Sequence, residues 1–257
     1  MEDVAVTIVF VHGNPETDAI WQPLIAAMGR SDVVALSPPG FGAPVPIGFT
    51  ASSDEYVAWL VDALATFDTP VDLVGHDWGG GHVVRAVTRR PDLVNRWCID
   101  IAGCFDASYT WHDAAQIWQA NGDGEAFVAA MATTPLADSI ERFVGVGMTP
   151  IAARSCAEAA SSPEMGRCIL ALYRSAIQPM MTTWGAEVEP AMSAGRSLIV
   201  IATEDHYTGG AELARRTAAR WGSDVVELTG LGHWWMLQDP VRGAAALNAF
   251  FTDDDNS

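Results

Sequence analysis

Val71-Asp72-Leu73-Val74-Gly75-His76-Asp77-Trp78-Gly79-Gly80 is the stretch that decides how this chain is read. Val71–Val74 has the length and apolar content of a buried strand, and the residues after Gly80 read as a helix through Arg89, stopped before Pro91. Glycine stands two positions before Asp77 and two and three positions after it. Small residues at those places allow a sharp strand-to-helix turn with the central side chain at its tip. This is the G-x-S-x-G elbow with Asp in place of Ser. The helix N-terminus favours a carboxylate there. An Asp N-cap after a strand is a common feature in its own right, but glycines on both sides favour the elbow.

Outward from the elbow, strands and helices alternate. Val4–Val11 reads as a strand ending in His12-Gly13-Asn14-Pro15, followed by helical spacing over Ala19–Met28. Asp32–Leu36 is a second strand, closed by Ser37-Pro38-Pro39-Gly40-Phe41-Gly42; Ser52 or Ser53 caps a helix carrying Tyr56, Trp59, Leu60, Ala63 and Leu64. Trp97–Ile101 is the strand after the elbow helix. From Cys104 to Ser193 the periodicity is helical only, punctuated by Pro135, Pro150, Pro163, Pro179 and Pro190. The earlier rhythm resumes with a strand at Ser197–Ala202, a helix at Ala211–Trp221, a strand at Val225–Leu228 and a helix at Val241–Phe251. Short continuous apolar strands alternating with helices imply an α/β fold, a mostly parallel sheet with helices on both faces. Residues 1–103 and 194–257 form its two halves, and 104–193 a helical cap over the carboxyl ends of the strands, where such sheets bind ligands. The tail Asp253-Asp254-Asp255 reads as solvated.

Composition narrows the function. With 49% hydrophobic and 18% charged residues, the chain is neither disordered nor fibrous. A net charge of −18 repels phosphate backbones and anionic lipid, which argues against nucleic-acid and membrane-surface roles. Met1-Glu2-Asp3 is acidic where a signal peptide is basic, and no run of about 20 apolar residues exists for a membrane span. Cys98, Cys104, Cys156 and Cys168 lack metal-ligand spacing and read as reduced thiols, so a cytoplasmic location is expected. Neither a Gly-rich phosphate loop nor a metal constellation is visible, so no cofactor and no metal is expected.

The motifs resemble the α/β-hydrolase fold, and more narrowly its branch of epoxide hydrolases and haloalkane dehalogenases, whose nucleophile is an Asp within a His-Asp-Trp-Gly-Gly elbow. The resemblance rests on His12-Gly13-Asn14-Pro15, the elbow, Tyr173-Arg174 in the cap, and Gly232-His233-Trp234. The family's sheet usually begins with two further strands before the first of these motifs, so a sheet trimmed at its N-terminal side is expected.

The resemblance implies a covalent mechanism. A carboxylate is already ionised and nucleophilic at neutral pH, so Asp77 would take up an alkyl group as an ester. Water would then hydrolyse that ester, which requires a base, an orienting acid and an oxyanion hole. His233, after the last strand, is the expected base. Asp205 in Ile199-Val200-Ile201-Ala202-Thr203-Glu204-Asp205 is the expected acid, with Asp100 at the end of the strand before the cap as the other place some relatives use. The backbone N–H groups of Asn14 and Trp78 would form the oxyanion hole.

Two electrophiles fit. A departing halide needs indole and amide N–H donors, and Trp78 and Asn14 stand at those positions. An opening epoxide needs donors from the cap, of which Tyr173 is one and His112 or Tyr109 the other. The glycines of the elbow, Pro15-Glu16 and Gly232-His233-Trp234 tilt the reading to an epoxide hydrolase, with a haloalkane dehalogenase as the alternative. A non-catalytic ligand-binding member of the fold is a third possibility, against which the intact Asp77, His233 and Asp205 argue. Trp111, Trp118 and Trp184 are expected to line the pocket of a small apolar electrophilic substrate.

Overall fold

A computed structural model of the chain describes residues 6–191 and 196–252, with side chains omitted for 189–191. Six parallel strands form one sheet in the order β2-β1-β3-β4-β5-β6. They are β1 (Ile8–Val11), β2 (Val33–Leu36), β3 (Val71–Gly75), β4 (Val94–Ile99), β5 (Ser197–Ala202) and β6 (Asp224–Leu228). The four residues of β1 are all fully buried, as a strand covered on both faces must be. Val9 and Val11 point into one apolar core with Tyr56, Leu60 and Val84, while Ile8 and Phe10 point into another with Trp21, Leu24 and Leu247.

The helices of the two layers are α1 (Gln22–Met28), α2 (Ser53–Leu64), α3 (Trp78–Arg89), α10 (Gly210–Trp221), α11 (Trp235–Gln238) and α12 (Pro240–Thr252). Ser52 caps α2 by accepting from the backbone N–H of Glu55 at 3.4 Å. Between β4 and β5 lie α4 (Asp113–Gln119), α5 (Asp123–Thr133), α6 (Leu136–Gly145), α7 (Pro150–Ala160), α8 (Pro163–Arg174) and α9 (Met180–Ala191), with no strand among the described residues. No helix of the described residues is long and apolar enough to cross a membrane.

Several boundaries differ from expectation. The first strand begins at Ile8; Val4 and Ala5 lie outside the described residues, as do the junction at 193 and the tail 253–255. The strand expected at Trp97–Ile101 runs from Val94 to Ile99, so Asp100 falls just beyond it. Helical spacing over Ala19–Met28 resolves into a 3-10 turn at Asp18–Ile20 and then α1, because Pro23 suits only a first helical turn.

Candidate active site

The elbow is built by what its neighbours lack. A Cβ on Gly79 would lie 2.1 Å from the carbonyl oxygen of Val11, and one on Gly75 would lie 2.6 Å from the Cα of Gly80. With both side chains absent, β3 and α3 approach closely enough to force Asp77 into φ 49°, ψ −130°. That is the left-handed half of φ space, which a non-glycine residue occupies at a cost. The loop after β1 closes over the same side chain, since a Cβ on Gly13 would meet Asp77 Oδ1 at 2.0 Å. The N–H of Asn14 donates to Asp77 Oδ1 at 3.0 Å, and the N–H of Trp78 also serves the carboxylate.

His233, in the loop after β6, is 7% exposed. Its Nδ1 lies 2.8 Å from Asp205 Oδ2 and its Nε2 lies 3.8 Å from Asp77 Oδ2. The first is a hydrogen bond that fixes the ring; the second is too long for one. Asp205 is held in turn by the backbone N–H of Tyr207 at 2.8 Å. Burial opposes charge on all three side chains. It lifts Asp77 to about 6, with the neighbouring His233 pulling part of the way back. It would lower His233, but Asp205 outweighs it and the imidazole ends above its ordinary range. It would raise Asp205, but His233 outweighs it and the carboxyl ends below its ordinary range.

Asp100 takes another place. It lies 2.5 Å from His76 Nδ1, accepts from Trp235 Nε1 at 2.7 Å, and meets the N–H of Asp77 at 3.3 Å, with no bond to His233. His76 Nε2 faces Glu16 at 3.1 Å, and Glu16 also accepts from the N–H of Gly13 at 3.0 Å and from Trp234 Nε1 at 2.5 Å. With carboxylates at both nitrogens, His76 is an imidazolium: burial opposes its charge, but Asp100 and Glu16 carry it well above the ordinary range. Burial would raise Glu16 too, but His76 holds it down to about 2. The sequence alone points to no partner for either His76 or Glu16. Their signal was the presence of ionisable residues in each apolar-flanked motif loop.

Glu16, His76 and His233 offer donor atoms within 4.8 Å of one another, the grouping among the described residues best spaced for a metal ion. His76 has no lone pair to give, however, because both nitrogens are engaged by carboxylates.

A cavity of about 300 Å³ opens above Asp77 and His233, lined also by Asn14, His112, Tyr173 and Tyr207. His112 caps α4, its Nδ1 accepting from the N–H of Ala115 at 3.3 Å. Burial lowers this imidazole to about 4, so it is neutral, and with Nδ1 accepting, its proton sits on Nε2. The phenol of Tyr173 is raised well above its ordinary range by burial and by the Asp77 charge. Tyr109 is not a cavity donor: its hydroxyl donates to the carbonyl of Tyr207 at 2.9 Å, and it lines a small adjoining recess with Trp111. Trp118 lines the main cavity, whereas Trp184 packs beneath the Arg85 guanidinium, 5.1 Å from it. The side-chain amide of Asn14 and the indole N–H of Trp78 are buried without a hydrogen-bond partner among the described residues.

Comparison with known proteins agrees with this geometry at the level of family and fold. Residues 8–247 match the sequence profile described as the Alpha/beta hydrolase family. A stretch of 94 residues is 29% identical to the (E)-2-((N-methylformamido)methylene)succinate hydrolase of Acinetobacter baylyi, covering 36% of this chain and 36% of that relative's length. Among solved structures, a loop variant of a haloalkane dehalogenase from Bradyrhizobium elkanii aligns with TM-score 0.72 at 16% identity, over 97% of this chain and 90% of the other. An E-2-(acetamidomethylene)succinate hydrolase aligns with TM-score 0.72 at 19% identity, over 97% and 92%.

Proposed function

Since the chain belongs to the alpha/beta hydrolase family, we propose that it is a hydrolase working through an alkyl ester of Asp77, with an epoxide as substrate and a diol as product. The observation that carries this reading is the pair of proton-bearing donors, His112 Nε2 and Tyr173 Oη, on a cavity that also holds the Asp77 carboxylate.

Asp77 Oδ2, the oxygen not bonded to Asn14, attacks an epoxide carbon, and that carbon's bond to oxygen breaks. The alkoxide so formed takes the proton of Tyr173, with His112 Nε2–H hydrogen-bonded to the same oxygen. His233 Nε2 then removes a proton from water as the hydroxide adds to Cγ of Asp77. The charge developing on Oδ1 meets the N–H of Asn14, which already points there, with the N–H of Trp78 also at the carboxylate. Collapse releases the diol, which takes the proton from His233. The proton left on Asp77 restores the Tyr173 phenol. Asp205 holds the ring of His233 and supports its charge.

A haloalkane substrate is the second reading, favoured by the unpartnered amide of Asn14 and indole of Trp78. These two donors would receive a halide, which needs no proton. Incubation with a terminal epoxide and with a bromoalkane of matched length separates the readings. Diol without bromide supports the first, bromide without diol the second, and neither product removes both.

A further inference from the structure

The cavity that holds Asp77 also holds Arg142, on α6. The chain has no lysine, so its 14 cationic side chains are all arginine. Among the described residues Arg142 is the one arginine with neither an ion pair nor a hydrogen bond. The others meet carboxylates, as Arg174 meets Glu125 and Arg216 meets Asp106, or carbonyls and a sulfur, as Arg96, Arg220 and Arg167 do. Opportunity does not explain the difference. Asp138 stands four residues before Arg142 on the same helix, the spacing at which such pairs form, and no pair forms. Ser139, one turn before Arg142, lines the same cavity, and its hydroxyl is also without a partner among the described residues.

Much of the wall between Arg142 and Asp77 is apolar, with Trp118, Phe127, Met131 and Phe143 lining the space beside Thr134. Arg142 is exposed whereas the Asp77 side chain is only 16% exposed, so the cation stands at the mouth and the carboxylate towards the floor. We propose that the cavity takes a substrate bearing a carboxylate, joined through an apolar spacer to the reacting carbon. Arg142 receives that carboxylate through its planar fork, with the Ser139 hydroxyl as a further donor. Asp77 repels the same group, so the molecule enters with its electrophilic end towards the floor. This orientation rests on Asp77 as the attacking residue; the anion site itself does not.

The test is therefore made first without chemistry. Hexanoate and hexanamide are unreactive probes of equal length, and their binding is read by quenching of tryptophan fluorescence. The wild-type protein should bind hexanoate about tenfold more tightly than hexanamide, the scale of one charge-assisted hydrogen bond. R142Q should bring the ratio to about one, R142E should invert it, and R142K should keep part of it. Equal binding of the two probes by the wild type, or a preference that survives in R142Q, overturns the proposal. Turnover is read separately with an ω-epoxy acid and its methyl ester. No diol from either, with the hexanoate preference intact and lost in R142Q, refutes the epoxide reading and upholds the anion site.

Discussion

The rings of His76 and His233 lie 4.5 Å apart, centroid to centroid, and they serve opposite charge states. His76 is clamped between Asp100 and Glu16 and keeps its proton. His233 has one carboxylate, Asp205, at Nδ1 and leaves Nε2 towards Asp77. The fixed charge of His76 opposes protonation of its neighbour, while Asp205 and Asp77 favour it. Two like groups in contact are thus set for different tasks by the number of carboxylates each touches.

This arrangement gives the two steps different pH dependences. Attack requires ionised Asp77, whose carboxyl is lifted to about 6, so alkylation should fall away below about pH 6. Ester hydrolysis requires neutral His233, which is raised in the free enzyme partly by the Asp77 charge. Esterification removes that charge, so His233 should lose its proton more readily in the intermediate. The acid limb of single-turnover ester hydrolysis should lie at lower pH than the His233 titration followed by NMR in the free protein. A limb at the same or higher pH would rule out this assignment.

Replacing His233 by Gln should block the second step and spare the first. One equivalent of epoxide would then leave Asp77 alkylated, and intact-mass spectrometry would show a gain of one substrate mass. Hydrolytic turnover should fall by at least about 10³-fold, as for other removed general bases. Normal turnover by the variant would show that another group activates water.

His112 carries two roles that separate by substitution. Asn at this position keeps an acceptor for the Ala115 N–H, being itself a good N-cap, but removes the Nε2 donor. H112N should therefore match the wild type in thermal midpoint while losing about 10²-fold in kcat on an epoxide. Y173F should lose as much, by removing the proton source. If both variants keep full epoxide turnover, the leaving oxygen is served from elsewhere, and bromide release by the same variants becomes the deciding measurement.

How much of this was legible in the sequence follows from distance along the chain. Asp77 could be read because its glycines are its immediate neighbours, and His233 and Asp205 because each closes a strand of unmistakable composition. What could not be read depends on partners far apart. Glu16 finds Trp234 across 218 residues, and Tyr109 spends its hydroxyl on a carbonyl 98 residues away. Asp100 and Asp205 occupy equivalent-looking positions after strands, and only packing gives one to His76 and the other to His233. Arg142 carried no local signal at all, since its distinction is a missing partner.

The elbow also predicts a conflict between stability and activity. Asp77 sits at φ 49°, which costs a non-glycine residue about 1–3 kcal/mol. Its carboxyl is largely withdrawn from water, with its affinity for protons raised from an ordinary value near 3.8 to about 6, so at pH 8 the folded state carries a charge it disfavours. The sign follows from linkage: an acid raised on folding destabilises above its folded value, and the penalty vanishes as pH falls below the unfolded value. D77G removes both costs, although the N–H groups of Asn14 and Trp78 must then turn to water in the cavity. The variant should be inactive on any substrate, yet more stable than the wild type by about 1–3 kcal/mol at pH 8. Urea midpoints at pH 8 and pH 4 check this, because the gain should be larger at pH 8. A variant less stable than the wild type would mean that neither cost is borne by the fold, whereas equal stabilisation at both pH values would leave the backbone strain as the whole effect and rule out a penalty from the charge at residue 77.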